Sequence, residues 1–334
     1  MLADRARTTG GRGEDRDLSR NLFLLLVSLD LEDNRDALYT GQVDLPYTTE
    51  KEVPDAILAT KPRKAPGSDG IPNKGLQTAV KLLSGHLMNV FNQSLDLGHC
   101  PAHFRCSTTL VLRKPGKDNY TVPKAYRPTL LLNTVGKIMD AVLAQRLSYF
   151  LKTEDVLPNS HMGGRKEAVD RARPPRHYRK DQYGLKHCWS AMASLLLLDV
   201  SGAFDNVSHQ RLLHNLRSRK VDEKLVQWIA SFPSNRRTRI TIDGYELTEY
   251  YVENVQGSPL SPILYIFYNA CLIDECNTDE ETATVGYIDG AAILARGNKT
   301  IQRLAATLER AKRWAAVHAK FAPDKFQLTR FTRA

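Results

Sequence analysis

The run Leu195-Leu-Leu-Leu-Asp-Val-Ser-Gly-Ala-Phe-Asp205 decides how this chain is read. Four leucines lead straight into Asp199. An apolar run this short, closed by a charge and then Ser-Gly, predicts a strand buried on both faces. A carboxylate at the end of such a strand is costly to bury unless a cation or a donor meets it. Beyond Phe204 and Asp205, Val207, Leu212, Leu213 and Leu216 recur at helical spacing, so an amphipathic helix follows. A strand that delivers an acid and turns into a helix suits a metal ligand. It equally suits an acid that caps the helix. The surroundings of the run must separate the two.

The chain has 334 residues, 42% of them hydrophobic and 25% charged, enough for one large domain or two ordinary ones. A net charge of +10 suits a polyanionic partner such as nucleic acid, and also a merely soluble surface. Five cysteines, an odd count without a signal peptide, predict reduced thiols in an intracellular protein. Four of the residues from His99 to Cys106 are potential zinc ligands, but their spacing fits no common zinc finger. The apolar run Asn21–Val27 is too short to span a bilayer, so no membrane association is expected. Residues 1–48 read as an N-terminal extension whose Gly/Arg-rich start is expected to be disordered.

Upstream of the leucine run, Lys61-Pro-Arg-Lys-Ala-Pro-Gly-Ser-Asp-Gly-Ile-Pro72 holds three prolines and two glycines between cations. It predicts a rigid basic loop able to touch phosphates. A helix over Lys74–Leu97 follows, then strands over Thr108–Lys117 and Lys124–Leu132, and a helix over Gly136–Leu151. Lys114 and Arg127 fall on the resulting hairpin, either as a clamp for a triphosphate or as ordinary exposed cations. Arg165–Lys180 carries seven Arg or Lys and reads as a solvated loop. Downstream, Arg236–Asp243 and Glu246–Val252 pair around Asp243-Gly244. Gln256-Gly-Ser-Pro-Leu-Ser-Pro-Ile-Leu264 opens an apolar helix and leaves free amides for an anion. Thr284–Ala295 reads as two short strands around Asp289-Gly290, with a carboxylate at the tip.

Single elements leave the alternatives open, but their order does not. The sequence resembles the reverse transcriptase domain of non-LTR (LINE-type) retrotransposons, and looks most similar to those of filamentous fungi. The likeness covers roughly residues 50–332 and rests on Lys64–Pro72, Ala125-Tyr-Arg-Pro128, Leu198–His209, Gln256–Pro262, Gly286-Tyr-Ile-Asp289 and Lys320–Lys325. It implies an α+β right-hand polymerase: fingers over about 49–194, palm over about 195–334, an antiparallel palm sheet packed by helices, and no thumb. It implies RNA-directed DNA synthesis, adding dNTPs to the 3′-hydroxyl of a DNA primer on an RNA template. Asp199, the backbone of Val200 and Asp289 then stand where the family holds two Mg2+ ions, about 3.5–4 Å apart, with Mn2+ as a substitute. Lys325 stands where a late lysine acts as general acid towards pyrophosphate. Lys114, Arg127, Gln256 and Gly257 stand at the nucleotide pocket, and Phe204 at the aromatic gate that selects deoxyribose.

The sequence departs from the family pattern in three places. Position 290 is Gly where the family reads a second Asp. Val252-Glu-Asn-Val255 replaces the usual Gly-Ile-Pro, and unpatterned basic sequence follows Gly163-Gly-Arg165. The resemblance therefore carries an alternative: a retroelement remnant, truncated and without turnover, that at most binds nucleic acid. A chromosomal element implies work in the nucleus, and an intron-type enzyme in mitochondria is the weaker alternative.

Overall fold

The protein is described here from a computed structural model, which covers residues 38–122, 125–154, 156–158, 160–162, 192–201, 203, 206–242, 244–252, 257–277, 281–288 and 290–331. Helices α1 (Glu52–Leu58), α2 (Asn73–Thr78) and α3 (Val80–Asp96) precede strands β1 (Cys106–Arg113) and β2 (Tyr126–Leu132), then helix α4 (Thr134–Thr153). The leucine run is β3 (Ala193–Asp199), followed by α5 (His209–Ser218), α6 (Glu223–Ser231), β4 (Arg236–Ile242), β5 (Tyr245–Val252) and α7 (Ser261–Cys276). Strands β6 (Thr282–Tyr287) and β7 (Gly290–Arg296), helix α8 (Thr300–His318) and strand β8 (Gln327–Phe331) come last. The fold is thus mixed α and β. Among the described residues no helix is long and apolar enough to cross a membrane.

The chain divides into two compact units that interleave in sequence. The described residues of Leu38–Gln145 and Lys220–Ser261 form one, and those of Arg146–Arg219 and Pro262–Ala334 the other. The first unit holds a four-stranded sheet in the order β2-β1-β4-β5, with β1 parallel to β4 and the other pairs antiparallel. Val111, Tyr126, Ile240 and Ile242 of its strands form a buried cluster. The helix expected over Lys74–Leu97 breaks at Ala79, whose ψ of 11° is not helical. Gln77 there donates to the Thr60 carbonyl at 2.8 Å, which ties α2 to the residues just after α1.

The second unit holds an antiparallel sheet in the order β6-β7-β3-β8. Leu196 and Leu198 of β3 point to one face, against Ile293 of β7, Leu272 and Ile273 of α7, and Leu304 and Trp314 of α8. Burying each leucine is worth about 2 kcal/mol. On the other face Leu197 is 38% exposed, so burial of this strand on both faces is not what forms. Antiparallel sheets routinely leave one face to solvent, and a continuous apolar run does not reveal which residues will be left outside. Helix α7 is buried nearly all round from Ile263 to Ile273. Its buried amide, Asn269, is a polar exception that bears on the site below.

Candidate active site

The end of β3 is fastened by the segment that precedes β8. Val200 and Phe321 form an antiparallel bridge. Ala322 N–H donates to the Asp199 carbonyl at 2.9 Å, and Ser201 N–H to the Lys320 carbonyl at 2.7 Å. These bonds flank Val200, which leaves its own carbonyl pointing away from Phe321, towards the β7 side. The chain then makes a short 3-10 turn, Pro323–Lys325. That turn brings the Lys325 ammonium to 2.5 Å from Asp199 Oδ2. Two residues 126 apart in sequence, each singled out for catalysis, are in direct contact. The Asp199 side chain keeps 34% of its surface exposed, so the carboxylate is within reach of a soluble cation.

The β6–β7 hairpin lies beside it. Asp199 is the register partner of Gly290, and Gly290 is also the register partner of Tyr287. Gly290 is therefore the first residue of β7 and belongs to the ladder, where an Asp-Gly turn would have put it in the loop. Ile288 adopts φ +50°. For a β-branched residue this conformation costs about 1–2 kcal/mol, so surrounding structure must impose it. A Cβ added at Gly290 would meet only Leu198 O at 3.6 Å and Tyr287 O at 3.7 Å, ordinary contact distances. Asp289 lies outside the described residues, as do Phe204, Asp205 and Gln256. Among the described residues no group of three or more His, Cys, Asp or Glu could hold a metal ion. Cys100, in the His99–Cys106 stretch, is fully buried and its thiol is pushed up to about 12 by burial.

The first unit carries the remaining candidates. Arg127 faces Leu112 across the β1–β2 hairpin, and Lys114 N–H donates to the Ala125 carbonyl at 2.8 Å. Continuing that register sets Lys114 and Arg127 as diagonal neighbours on one face, the arrangement a clamp needs. Gly257 has φ +87°, and a Cβ there would lie 3.1 Å from Leu130 O, so both conformation and clearance call for glycine. The basic loop Lys64–Pro72 is fixed to the β2–α4 corner. Asp69 Oδ2 accepts from Thr134 N–H, and Thr134 Oγ1 donates to the Ile71 carbonyl, both at 2.8 Å. A Cβ at Gly67 would fall 2.0 Å from Leu132 O, so only glycine lets this loop lie so close.

One residue behind this region was not anticipated. Asp140 of α4 is buried, and Ser258 Oγ donates to it at 2.7 Å. The same hydroxyl accepts from Leu260 N–H at 3.0 Å, so Asp140 anchors the segment that follows Gln256-Gly257. Its sequence signal is an acid on the helix face that carries Leu143 and Leu147. Burial raises its carboxyl from 3.8 to about 6, against the Ser258 hydrogen bond and the nearby Arg236 and Lys137 cations. Between about pH 4 and 6 the folded chain keeps a proton that the unfolded chain has lost. Stability from this group is thus full below about pH 4 and falls as pH rises through about 6. Asp140→Asn removes the titration. The stability of wild type minus that of the variant, from urea midpoints, is expected to drop by on the order of 3 kcal/mol between about pH 4 and 7.

With this geometry in view, residues 112–332 match a family described as "Reverse transcriptase (RNA-dependent DNA polymerase)". The chain is 28% identical over 253 residues to the "RNA-directed DNA polymerase from mobile element jockey" of Drosophila funebris, covering 75% of this chain and 26% of that protein. It is 27% identical over 252 residues to the "Probable RNA-directed DNA polymerase from transposon X-element" of Drosophila melanogaster, covering 74% and 27%. It is 30% identical over 252 residues to the "Putative 115 kDa protein in type-1 retrotransposable element R1DM" of the same fly, covering 74% and 23%. The chain therefore spans about a quarter of the length of these curated relatives. All three are fly elements, and the narrower likeness to filamentous fungi is not borne out.

Proposed function

The chain belongs to the reverse transcriptase (RNA-dependent DNA polymerase) family, and from that premise we propose that it is the polymerase part of a non-LTR retrotransposon protein. Its reaction is the transfer of a nucleotidyl group from a dNTP to the 3′-hydroxyl of a DNA primer, directed by an RNA template. The observation that carries this reading is the Asp199–Lys325 contact at the end of β3, beside the hairpin register that pairs Asp199 with Gly290. We read the sheet of the second unit as the palm, over about 195–334, and the β1–β2 hairpin as part of the fingers, over about 49–194. For a chromosomal element the place of work is the nucleus, with mitochondria as the weaker alternative.

The residues present suit a hard divalent cation in kind. The Asp199 carboxylate is accessible, and the Val200 carbonyl is not spent on the Phe321 bridge. With Asp289 they are the oxygens that would hold Mg2+ or Mn2+. When bound, such an ion activates the primer oxygen and neutralises the triphosphate and pyrophosphate. The chain's own groups do the rest. Lys325, in contact with Asp199, is the general acid that gives a proton to the leaving oxygen in this reading. Lys114 and Arg127 hold the triphosphate through charge-assisted hydrogen bonds. Gln256 and Gly257 line the nucleotide pocket, with Gly257 giving close backbone approach, and Phe204 excludes a 2′-hydroxyl.

A second reading has its own observation. Position 290, directly across from Asp199, offers no side-chain oxygen. A chain so altered keeps its fold and basic surface and binds nucleic acid without turnover. Primer extension on an RNA template with Mg2+ or Mn2+ separates the readings. Weak synthesis abolished by Asp199→Ala is expected. Robust synthesis that survives this substitution sinks the catalytic assignment, and RNA retention without any product supports the second reading.

A further inference from the structure

Strand β6 is the edge of its sheet, and an edge strand is the least constrained member. Here its outer edge is closed at Thr284 and Gly286. Met162 N–H donates to the Gly286 carbonyl at 2.7 Å and Gly286 N–H to the Ser160 carbonyl at 3.1 Å. Asn277, just past the end of α7, donates to the Thr284 carbonyl at 3.2 Å and accepts from Thr284 N–H at 2.6 Å, in the manner of a strand neighbour. Two helical turns earlier, Asn269 Nδ2 donates to the Ile288 carbonyl at 2.6 Å. Its Oδ1 lies 2.7 Å from His161 Nε2. With the amide nitrogen spent on Ile288, Oδ1 is the acceptor and His161 Nε2 carries the proton. Asn269 is 1% exposed and His161 is fully buried, so neither side chain is held by solvent. Gly286 makes room for the imidazole, because a Cβ there would lie 2.9 Å from His161 Cδ2.

We propose that Asn269 and His161 are positioning residues that fix the tip of the β6–β7 hairpin through the Ile288 carbonyl, and that the metal site read beside Asp199 depends on them. The inference rests on the reading of Asp289 as a metal ligand. The bonded carbonyl belongs to the residue immediately before Asp289, and that residue, Ile288, holds a left-handed conformation it would not choose unaided. Gly290, the residue immediately after, is fixed by its pairing with Asp199 and Tyr287. The buried Asn–His pair thus holds Ile288, while the sheet ladder holds Gly290. Its dependence on burial is a strength, since an amide network in low dielectric specifies one geometry.

The test uses the full chain with two readouts. Amide hydrogen exchange follows residues 284–291 in Asn269→Ala, His161→Phe and His161→Gln, and spin-resonance titration follows Mn2+ binding in the same variants carrying Gly290→Asp. Exchange at the hairpin is expected to accelerate by about tenfold or more in Asn269→Ala and His161→Phe, the scale of a lost buried hydrogen bond. It should stay near wild type in His161→Gln, which keeps a donor for Asn269. Mn2+ affinity should fall in Asn269→Ala and His161→Phe as it does in Asp289→Asn. Unchanged hairpin exchange in Asn269→Ala, or equal effects of Phe and Gln at 161, overturns the proposal. Normal Mn2+ affinity in Asn269→Ala, where Asp289→Asn lowers it, also overturns it. If Asp289→Asn leaves Mn2+ binding untouched, the metal-ligand reading fails and the exchange data alone judge the positioning role. If Asn269→Ala does not fold, the His161 pair decides.

Discussion

Gly290→Asp is expected to raise primer-extension activity by at least about a hundredfold, because groups that act as a unit lose far more than their share when one is missing. The site admits the change. A Cβ at 290 meets nothing closer than 3.6 Å, and the φ of Gly290 is not in the left-handed range. Direct register partners in an antiparallel sheet place their Cβ atoms about 4.5–5.5 Å apart on one face. A carboxylate at 290 therefore stands across from Asp199, and the gap between them is a place for a cation. Physics also predicts a cost. Without a metal, two like charges face each other and the exposed Lys325 offsets them in part, so the variant should melt below wild type in chelator. Added Mn2+ should reverse that difference and stabilise the variant more than wild type, by mass action on the folded state. A melting temperature blind to Mn2+ counts against a metal site at this position. Tighter Mn2+ binding without any gain in synthesis would move the deficiency to the nucleotide pocket around Gln256 and Gly257.

What the sequence disclosed follows from where its signals lie. Strands β3, β6 and β7 were legible because short apolar runs end in charges and glycine, and the resemblance gave their order. The pairing of β3 with β8 was not, since every residue of β8 from Gln327 to Phe331 is exposed and the strand shows no buried face to a sequence reading. The parallel pairing of β1 with β4 was equally hidden, because register between strands about 130 residues apart leaves no periodicity. The Asp-Gly signal put Gly290 in the turn, whereas the ladder runs on through Gly290 and Asn269 holds the unusual Ile288. The helix over Lys74–Leu97 read as continuous because nothing in its pattern marks Ala79. Asp140 and Asn269 did leave a trace: a polar residue on an otherwise apolar helix face. Such a residue reads as noise until its partners are known, and both partners here lie far away in the chain.

Lys325→Met is expected to separate metal binding from turnover. In the free protein the Lys325 ammonium lies 2.5 Å from Asp199 Oδ2, so it occupies one of the oxygens a cation needs. Removing the charge should tighten Mn2+ binding by a few-fold and no more, because the lysine is 60% exposed and solvent screens the pair. Turnover should move the other way. A positioned acid contributes roughly 10²–10⁴-fold, so the rate of nucleotide addition in the Gly290→Asp background should fall by about that factor. The pH–rate profile should lose its descending alkaline limb along with it, since the group whose proton the step uses has gone. Arginine at 325 provides the control: it keeps the charge beside Asp199 but holds its proton too firmly to donate it. It should therefore leave Mn2+ affinity near that of the parent while turnover stays low. A purely structural lysine, one that only braces the end of β3 through Asp199, predicts the reverse pattern. In that case Arg restores turnover, the pH profile keeps its shape, and the variants differ only in thermal stability. The contact itself is common to both accounts, and only the divergence of affinity from rate assigns Lys325 to the chemistry.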